Sequence, residues 1–162
     1  MKLYHASTAI VEKPDLSLSR DKLDFGRGFY LTKVREQAVH YAERYTRRGL
    51  DAYINEYELD DDTPGFSIKH FENYDEQWLD YVAQCRKGLV NQTAFDAVSG
   101  GVANDKVFNT IDLYFASIIS KEEALGKLRF EHPNHQICLL NGQLIEKHLH
   151  FIKAEKIGDA GK

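Results

Sequence analysis

The chain has little cysteine and no long apolar segment. Its 162 residues include two cysteines, Cys85 and Cys138, which lie far apart and form no Cys-x-x-Cys pair. Neither a disulfide framework nor a cysteine-built metal site is therefore predicted. No segment approaches the ~18 consecutive apolar residues that cross a bilayer, and no apolar run of the secretory type stands near residue 1. These absences predict a cytoplasmic protein that does not associate with a membrane.

Internal repeats, low-complexity tracts and linkers rich in proline and serine are also absent from the sequence. This pattern predicts a single domain over 1–162. A domain of this size buries roughly 68–70% of the surface that its unfolded chain exposes. The chain therefore needs no disulfides for stability.

Charge is unevenly distributed along the chain. Residues 1–50 carry ten Lys and Arg against six Asp and Glu, whereas residues 51–162 carry eleven against nineteen, so that +4 and −8 give the net charge of −4. A basic N-terminal third suits a phosphate-bearing ligand. The alternative is an arginine-rich helix whose basic side chains are simply solvated. The chain is not basic enough to indicate a nucleic-acid-binding module.

Short strand-like runs predominate, and they do not alternate regularly with helices. A doubly wound parallel sheet would need such alternation, so the pattern predicts an α+β fold with a largely antiparallel sheet and helices packed against it. The strand-like runs occupy 2–6, 28–32, 52–59, 66–71, 95–98, 136–140 and 149–157.

Apolar side chains also recur at helical spacing in three stretches. Asn73 with Glu76 is placed like a capping box before the second stretch, and Gly88 is placed to end it. Ser120 with Glu123 resembles a capping box that opens a further short helix. The three stretches run over 34–45, 78–85 and 107–118.

Four segments resemble, in the right order, the signature motifs of the ADP-ribosyltransferase superfamily. GRGFYL (26–31) followed by AVHYA (38–42) is similar to the family's Gly-x-Gly-Ile-Tyr-Phe and Ser-x-x-Tyr stretch, and the poly(ADP-ribose) polymerase branch is nearest in wording. LYHAS (3–7) resembles the opening His-Gly-Ser/Thr, and NHQICL (134–139) stands where the family has Asn-Glu-Tyr-Ile-Val-Tyr. The resemblance implies a largely antiparallel, split β-sheet core flanked by helices.

The resemblance also implies a site for NAD, which this superfamily uses as substrate without a metal. His5 would bind ribose hydroxyls, while the backbone of Ala6 and the hydroxyl of Ser7 would hold the carboxamide and nearby ribose. Tyr30 and Tyr41 would stack on the two faces of nicotinamide. The remaining expected contacts are Gly28 in the NAD-binding turn and Gln136 at the usual glutamate position.

Three residues depart from the family pattern: Ala6 replaces a glycine, Ala38 a serine and Gln136 the glutamate. Loss of that negative charge beside a developing cation predicts transfer of a single ADP-ribose rather than chain elongation. A similar small bacterial group is often encoded beside a short partner gene. The resemblance thus implies a toxin with a small antitoxin-like protein partner and a protein or nucleic-acid acceptor. The alternative is a catalytically silent module that binds NAD or ADP-ribose.

Other candidate sites have simpler interpretations. His132-x-x-His135 and His148-x-His150 are interpreted as surface histidines, because no carboxylate or cysteine completes a ligand set. The run 100–105 lacks the Lys and Ser/Thr of a P-loop, so a turn and helix cap are expected there, with Asn104 or Asp105 as a possible contact with the acceptor. The acidic run 60–62 is interpreted as a solvated loop. Asp24-Phe25-Gly26 matches the kinase metal-binding triplet but has no catalytic-loop motif beside it.

Overall fold

The computed structural model has an α+β fold, as the irregular order of strands and helices predicts. It describes residues 1–20, 23–88 and 95–158, apart from the side chain of Asp105. Each of the seven predicted strand segments overlaps an observed strand. The strands are β1 (Lys2–Ser7), β2 (Phe29–Leu31), β3 (Tyr53–Leu59), β4 (Ile68–His70), β5 (Ala97–Val102), β6 (Asn134–Leu139) and β7 (Leu149–Lys156). The helices are α1 (Arg35–Arg47), α2 (Glu76–Arg86), α3 (Asp105–Phe115), α4 (Lys121–Leu128) and α5 (Gly142–His148).

The strands form two sheets that meet along β1 and β2. One sheet has the order β1-β3-β7 and is antiparallel throughout. The other has the order β2-β6-β5-β4 and is antiparallel except for the pair β4 and β5. A bridge between Tyr4 and Thr32 joins the two sheets. The prediction of a largely antiparallel sheet is therefore confirmed, and this sheet is divided into two parts.

Buried side chains cover both faces of the four-stranded sheet. Successive strand residues point to opposite faces. Val98 and Cys138 accordingly belong to the cluster packed under α2, α3 and α4, and Ala97 and Leu139 belong to the cluster covered by α5. A third, smaller cluster of alanines with Ile54 lies between α1 and the strands β1 and β3. The sheet junction is thus held between packed layers.

The helix caps match the predicted ones with one correction. Ser120 accepts a hydrogen bond from the backbone N–H of Glu123, whose carboxylate accepts one from the N–H of Ser120, so this capping box is confirmed. The predicted cap Asn73 is wrong. Helix α2 is capped by Asp75, because the capping residue stands directly before the first helical residue, Glu76.

Two further differences concern the ends of the apolar patterns. Helix α3 ends at Phe115, and Ile118, which was predicted to belong to it, lies beyond the helix with 68% of its surface exposed. Helix α5 was not predicted, because seven residues show too little of the helical period; its buried residues are Leu144 and Ile145. Among the described residues, no helix has the length and apolar character needed to span a membrane.

Candidate active site at the seam between the two sheets

Strands β1 and β2 pair at one point and then separate, and we call the region beyond that point the seam. Tyr4 and Thr32 exchange two backbone hydrogen bonds of 2.8 and 2.9 Å. In a regular antiparallel ladder, the next such rung would join Ala6 to Tyr30. Instead, the Nδ1 atom of His5 lies 2.7 Å from the carbonyl oxygen of Tyr30. The imidazole therefore takes the acceptor that the next rung would use.

The peptide groups of Ala6 face the seam. Backbone groups point alternately to the two sides of a strand, so those of Ala6 point the same way as those of Tyr4, toward β2. No rung from Ala6 to Tyr30 forms in the described part of the chain. One N–H donor and one C=O acceptor are thereby directed at the seam. This pair is complementary to a primary carboxamide, which also has one acceptor and N–H donors.

His5 is held as a neutral imidazole. A carbonyl oxygen can only accept, so the Nδ1 atom of His5 carries the proton donated to Tyr30. Burial lowers the pKa of His5, and the hydrogen bond to the Tyr30 carbonyl raises that pKa by a smaller amount. The imidazole also packs against the ring of Phe29, with the two centroids 4.2 Å apart. The Nε2 atom is therefore an acceptor suited to a hydroxyl group.

Tyr30 forms a fixed wall beside the seam. Its hydroxyl donates to the carbonyl oxygen of Gly26 at 2.7 Å and accepts from the N–H of Phe25 at 3.1 Å. The Tyr30 ring lies parallel to that of Phe25, with 6.3 Å between centroids and 9° between planes. Burial raises the pKa of Tyr30, so that its hydroxyl stays protonated. The ring can pack against a ligand, but the hydroxyl takes no part in proton transfer.

Gln136 lies on the same face of the sheet as Tyr30. Tyr30 is directly opposite Cys138, and Gln136 is two residues from Cys138 on β6, so Tyr30 and Gln136 are diagonal neighbours about 7–8 Å apart. The adjacent His135 points to the other face, where its ring stacks on that of His70 at 5.8 Å. Gln136 is half-buried, and its amide makes no hydrogen bond with another described residue. The amide is thus free to bind a ligand.

Tyr41 lies on α1 and is 40% exposed. Its ring meets that of Tyr45 edge-on at 5.9 Å, and the guanidinium of Arg44 lies 4.7 Å from its centroid. Ala38, at the position of the family's serine, is buried in the cluster beneath α1 and has no hydroxyl to offer. No ring contact joins Tyr41 to Tyr30 in the described ranges. The sandwich of a ligand between these two tyrosines stays a prediction.

Ser7 and Gly28, both predicted to contact the ligand, have partners within the protein. The Ser7 hydroxyl accepts from the N–H of Ala9 at 3.2 Å, and the Gly28 N–H donates to the hydroxyl of Ser19 at 3.0 Å. A Cβ atom on Gly28 would collide with the Sγ atom of Cys138. Glycine is therefore required at position 28 for the close approach of the chain to β6, whether or not a ligand binds there.

Two polar links near the seam were not predicted. The Thr32 hydroxyl donates to the Gln37 amide oxygen at 2.6 Å, and the Gln37 amide donates in turn to Asn134. Asp24 forms an ion pair with Arg86, and both side chains are largely buried. The sequence offers one sign of the ion pair, because the Asp24 carboxylate stands between two apolar residues. It offers no sign of the link from Thr32 to Gln37 and Asn134, because these are ordinary polar residues.

The histidines near the C-terminal end differ from the prediction. His148 Nδ1 lies 2.8 Å and His150 Nε2 3.0 Å from the two carboxylate oxygens of Asp60. The side chain of His150 is 55% exposed, as expected for a surface histidine, but that of His148 is only 17% exposed. Asp60 lies in the predicted loop with its side chain 39% exposed, and it binds both rings from there. Within the described residues, no group of three or more His, Cys, Asp or Glu side chains is arranged to hold a metal ion.

The glycine-rich run before α3 is a strand followed by a helix cap. Gly100 and Gly101 lie within β5, so the predicted turn is wrong. Asn104 accepts from the backbone N–H of Val107 at 2.9 Å, which confirms the predicted cap. The side chain of Asp105, a predicted acceptor contact, lies outside the described residues.

A groove of about 410 Å³ lies apart from the seam, between the start of α2 and the end of α4. Tyr74, Leu128 and Pro133 are among the residues that line it. None of the predicted site residues contributes to this groove. The seam is therefore the candidate site.

By its fold, the protein belongs to the α+β class and has a divided, mostly antiparallel sheet. A family model described as "Protein of unknown function (DUF3990)" matches residues 1–151. The chain therefore belongs to this family. No curated protein matches the chain.

Proposed function

We propose that this protein is an NAD-dependent mono-ADP-ribosyltransferase, which cleaves the bond between nicotinamide and ribose and transfers ADP-ribose to an acceptor. The observation that carries the proposal is the missing pair of backbone hydrogen bonds between Ala6 and Tyr30 at the seam. Ala6 directs its peptide groups there, the neutral imidazole of His5 binds the Tyr30 carbonyl there, and the ring of Tyr30 projects from that same residue. They suit a carboxamide, a ribose hydroxyl and a flat ring, respectively. The open backbone at Ala6 supports the motif resemblance, which assigns the carboxamide to the backbone of this residue.

The reaction breaks the glycosidic C–N bond, and nicotinamide leaves with the bonding electrons. Positive charge develops on the ribose, and a nucleophilic atom of the acceptor then bonds to the same carbon and releases its proton to solvent. Ala6 and Tyr30 would hold the leaving ring, and His5 Nε2 would accept a hydrogen bond from a ribose hydroxyl. Preorganised groups of this kind stabilise charge that develops only in the transition state.

Gln136 accounts for a single transfer. A hydrogen bond to a charged group contributes about 1.5–3 kcal/mol, against about 1 kcal/mol for a neutral one. An amide where the family usually has a carboxylate therefore costs roughly ten-fold in rate. A slow catalyst suffices to modify an acceptor once, but not to build a polymer.

The basic N-terminal third of the chain suits the diphosphate of NAD. Residues 1–50 carry a balance of +4, and the described Arg44 lies over Tyr41 without a salt bridge to another described residue. The family resemblance supports the wider proposal of a cytoplasmic toxin restrained by a small antitoxin-like protein, with a protein or nucleic-acid acceptor and without a metal.

A second candidate function is a catalytically silent module that binds NAD or ADP-ribose and acts through a protein partner. The neutral amide of Gln136 favours it. Both functions use the same ligand site, so that NAD binding is common to them. Nicotinamide release separates them, because only the enzyme cleaves NAD.

The decisive experiment measures nicotinamide release from isotopic NAD at saturation for the wild type, Gln136→Glu and Gln136→Ala. Gln136→Glu should turn over faster while NAD affinity changes little, because only the transition state gains the charge interaction. Gln136→Ala should lose the residual activity. His132→Asn is a matched control, because His132 is exposed and outside the seam. All assays are repeated with a chelator, which should leave the rates unchanged.

The outcomes separate the hypotheses. A wild type that binds no NAD contradicts both functions. If the wild type binds NAD without releasing nicotinamide, and Gln136→Glu does release it, the silent module is supported. Rates at the wild-type level in both variants would show that Gln136 does not lie at the reacting bond. Mass spectrometry of extract treated with the protein and isotopic NAD then identifies the acceptor.

A further inference from the structure

A buried ion pair lies behind the Tyr30 wall. One carboxylate oxygen of Asp24 accepts from Nε and Nη2 of Arg86 at 2.8 and 2.5 Å, and the other accepts from the N–H of Ala103 at 2.8 Å. The side chains of Asp24 and Arg86 are 11% and 15% exposed. The guanidinium also lies 3.9 Å from the ring centroid of Phe108. The carboxylate is thus fixed between α2 and the start of α3.

Asp24 lies within the turn that holds the Tyr30 hydroxyl. The N–H of Gly26 donates to the carbonyl of Leu23 at 3.0 Å and closes this turn, in which Gly26 has φ of 82°, a value that favours glycine. The two residues after Asp24 both bind the hydroxyl: Phe25 donates to it, and Gly26 accepts from it. Two peptide groups thus connect Asp24 to the hydroxyl of Tyr30.

Stability alone does not explain the ion pair of Asp24 and Arg86. Desolvation of two buried charges offsets most of their attraction, and apolar residues of similar volume often replace such pairs without loss. The surroundings would accept such residues, because Phe25 and Trp78 belong to an apolar cluster on this side of the sheet. What an ion pair with two engaged carboxylate oxygens adds is one defined position for the turn.

We propose that Asp24 and Arg86 are positioning residues, which orient Tyr30 by fixing the turn that binds its hydroxyl. Neither residue touches the ligand. The inference rests on the proposed function only for the identity of that ligand, the nicotinamide ring of NAD. The orientation of Tyr30 itself is a property of the free protein and can be observed without NAD.

The first test is a double-mutant cycle with Asp24→Asn and Tyr30→Phe, in which the dissociation constant of NAD is measured by calorimetry. Each single variant should weaken NAD binding about five- to ten-fold. The double variant should bind NAD about as well as the single variant that has the lower affinity. This non-additivity is expected because both changes break the same chain of hydrogen bonds. Asp80→Asn is the matched control: it breaks a 2.9 Å ion pair with Lys121 at an exposed site on α2, and NAD affinity should not change.

The second test observes the free protein. With 3-fluorotyrosine in place of its nine tyrosines, Tyr30→Phe identifies the fluorine resonance of Tyr30. That resonance should move or broaden in Asp24→Asn and in Arg86→Lys, and remain in place in Asp80→Asn. Arg86→Lys keeps the buried positive charge and provides the test if Asp24→Asn does not fold.

The second test is independent of the proposed function, because it needs no NAD. If the wild type binds no NAD, the proposed function fails, while the fluorine resonance still decides whether Asp24 orients Tyr30. An unchanged Tyr30 resonance overturns the positioning role. Independent, multiplying losses of NAD affinity in the cycle overturn it too, because a merely structural effect of Asp24 would add to that of Tyr30.

Discussion

The two neighbouring strand pairs β1–β2 and β5–β6 use their backbone groups differently. Strands β5 and β6 pair over six residues, from Ala97 opposite Leu139 to Val102 opposite Asn134. Strands β1 and β2 have one bridge, after which the His5 imidazole occupies the next acceptor. A complete ladder leaves no donor or acceptor for a ligand. The open seam keeps the peptide groups of Ala6 available, so one side-chain hydrogen bond converts a sheet junction into a candidate binding site.

The largest expected effect on stability comes from a substitution at Gly28, where the chain packs closely against β6. Gly28→Ala should destabilise the protein by about 1–3 kcal/mol, because the new methyl group overlaps Cys138. Gly126→Ala in α4 is the control, since nothing lies within 4 Å of its Cβ position and alanine favours the helix by about 0.5–1 kcal/mol. Urea unfolding measures both, and equal stability of the two variants would contradict the close packing of Gly28.

Tyr30→Ala tests the candidate site at the seam between β1 and β2. It should weaken NAD binding about ten-fold, or about 1.4 kcal/mol, because the fixed aromatic wall is lost. Tyr114→Ala is the matched control, because Tyr114 is also a partly buried tyrosine packed against the same cluster but lies on α3. Calorimetric titration measures both. Equal affinity of the wild type and Tyr30→Ala would remove Tyr30 from the site.

The pH dependence of stability tests the neutral state of His5. Its pKa is lowered in the folded protein from 6.5, so below pH 6.5 the unfolded chain binds a proton that the folded chain does not. Stability should therefore fall as pH decreases from 6.5 toward the lowered pKa, by up to about 1.4 kcal/mol for each pH unit between the two values.

Urea unfolding between pH 7 and pH 5 measures this slope for the wild type, His5→Asn and His132→Asn. The slope should be smaller in His5→Asn and unchanged in His132→Asn, whose exposed ring has no carbonyl partner at the seam. An identical slope in all three proteins would show that His5 is not buried as a neutral group.

The smallest expected effect concerns Asp60, which lies in the loop after β3. Hydrogen bonds from His148 and then His150 lower the pKa of Asp60, so its contribution to stability should be present above pH 3.8 and be lost as pH falls further. At neutral pH, Asp60→Asn should lower the urea midpoint slightly, because the site is partly exposed. Asp62→Asn, at an exposed neighbour, should have no effect, and an equal shift in both variants would contradict a specific role of Asp60.

Local patterns in the sequence determined most of the secondary structure. Strand runs, the stripe of α1 and the capping box at Ser120 depend on residues within a few positions of one another, and all are observed. The proposal of His5 and Tyr30 as site residues came from the family resemblance, which depends on short, continuous motif segments. Local reasoning failed at segment ends, such as Asn73 and Ile118, where one or two residues decide the boundary. It also missed the short helix α5 and placed a turn at two glycines that lie within β5.

Only the tertiary structure decided how these segments meet. The open rung at Ala6 requires β1 and β2 to be neighbours, and no local pattern states which strands pair. Asp24 meets Arg86 across 62 residues of sequence, and Asp60 meets His148 across 88. Such contacts leave no periodic signal, because they depend on packing between elements rather than on spacing within one. For that reason the sequence could only name candidate site residues, while the missing backbone pairing of Ala6 with Tyr30 was visible only in the tertiary structure.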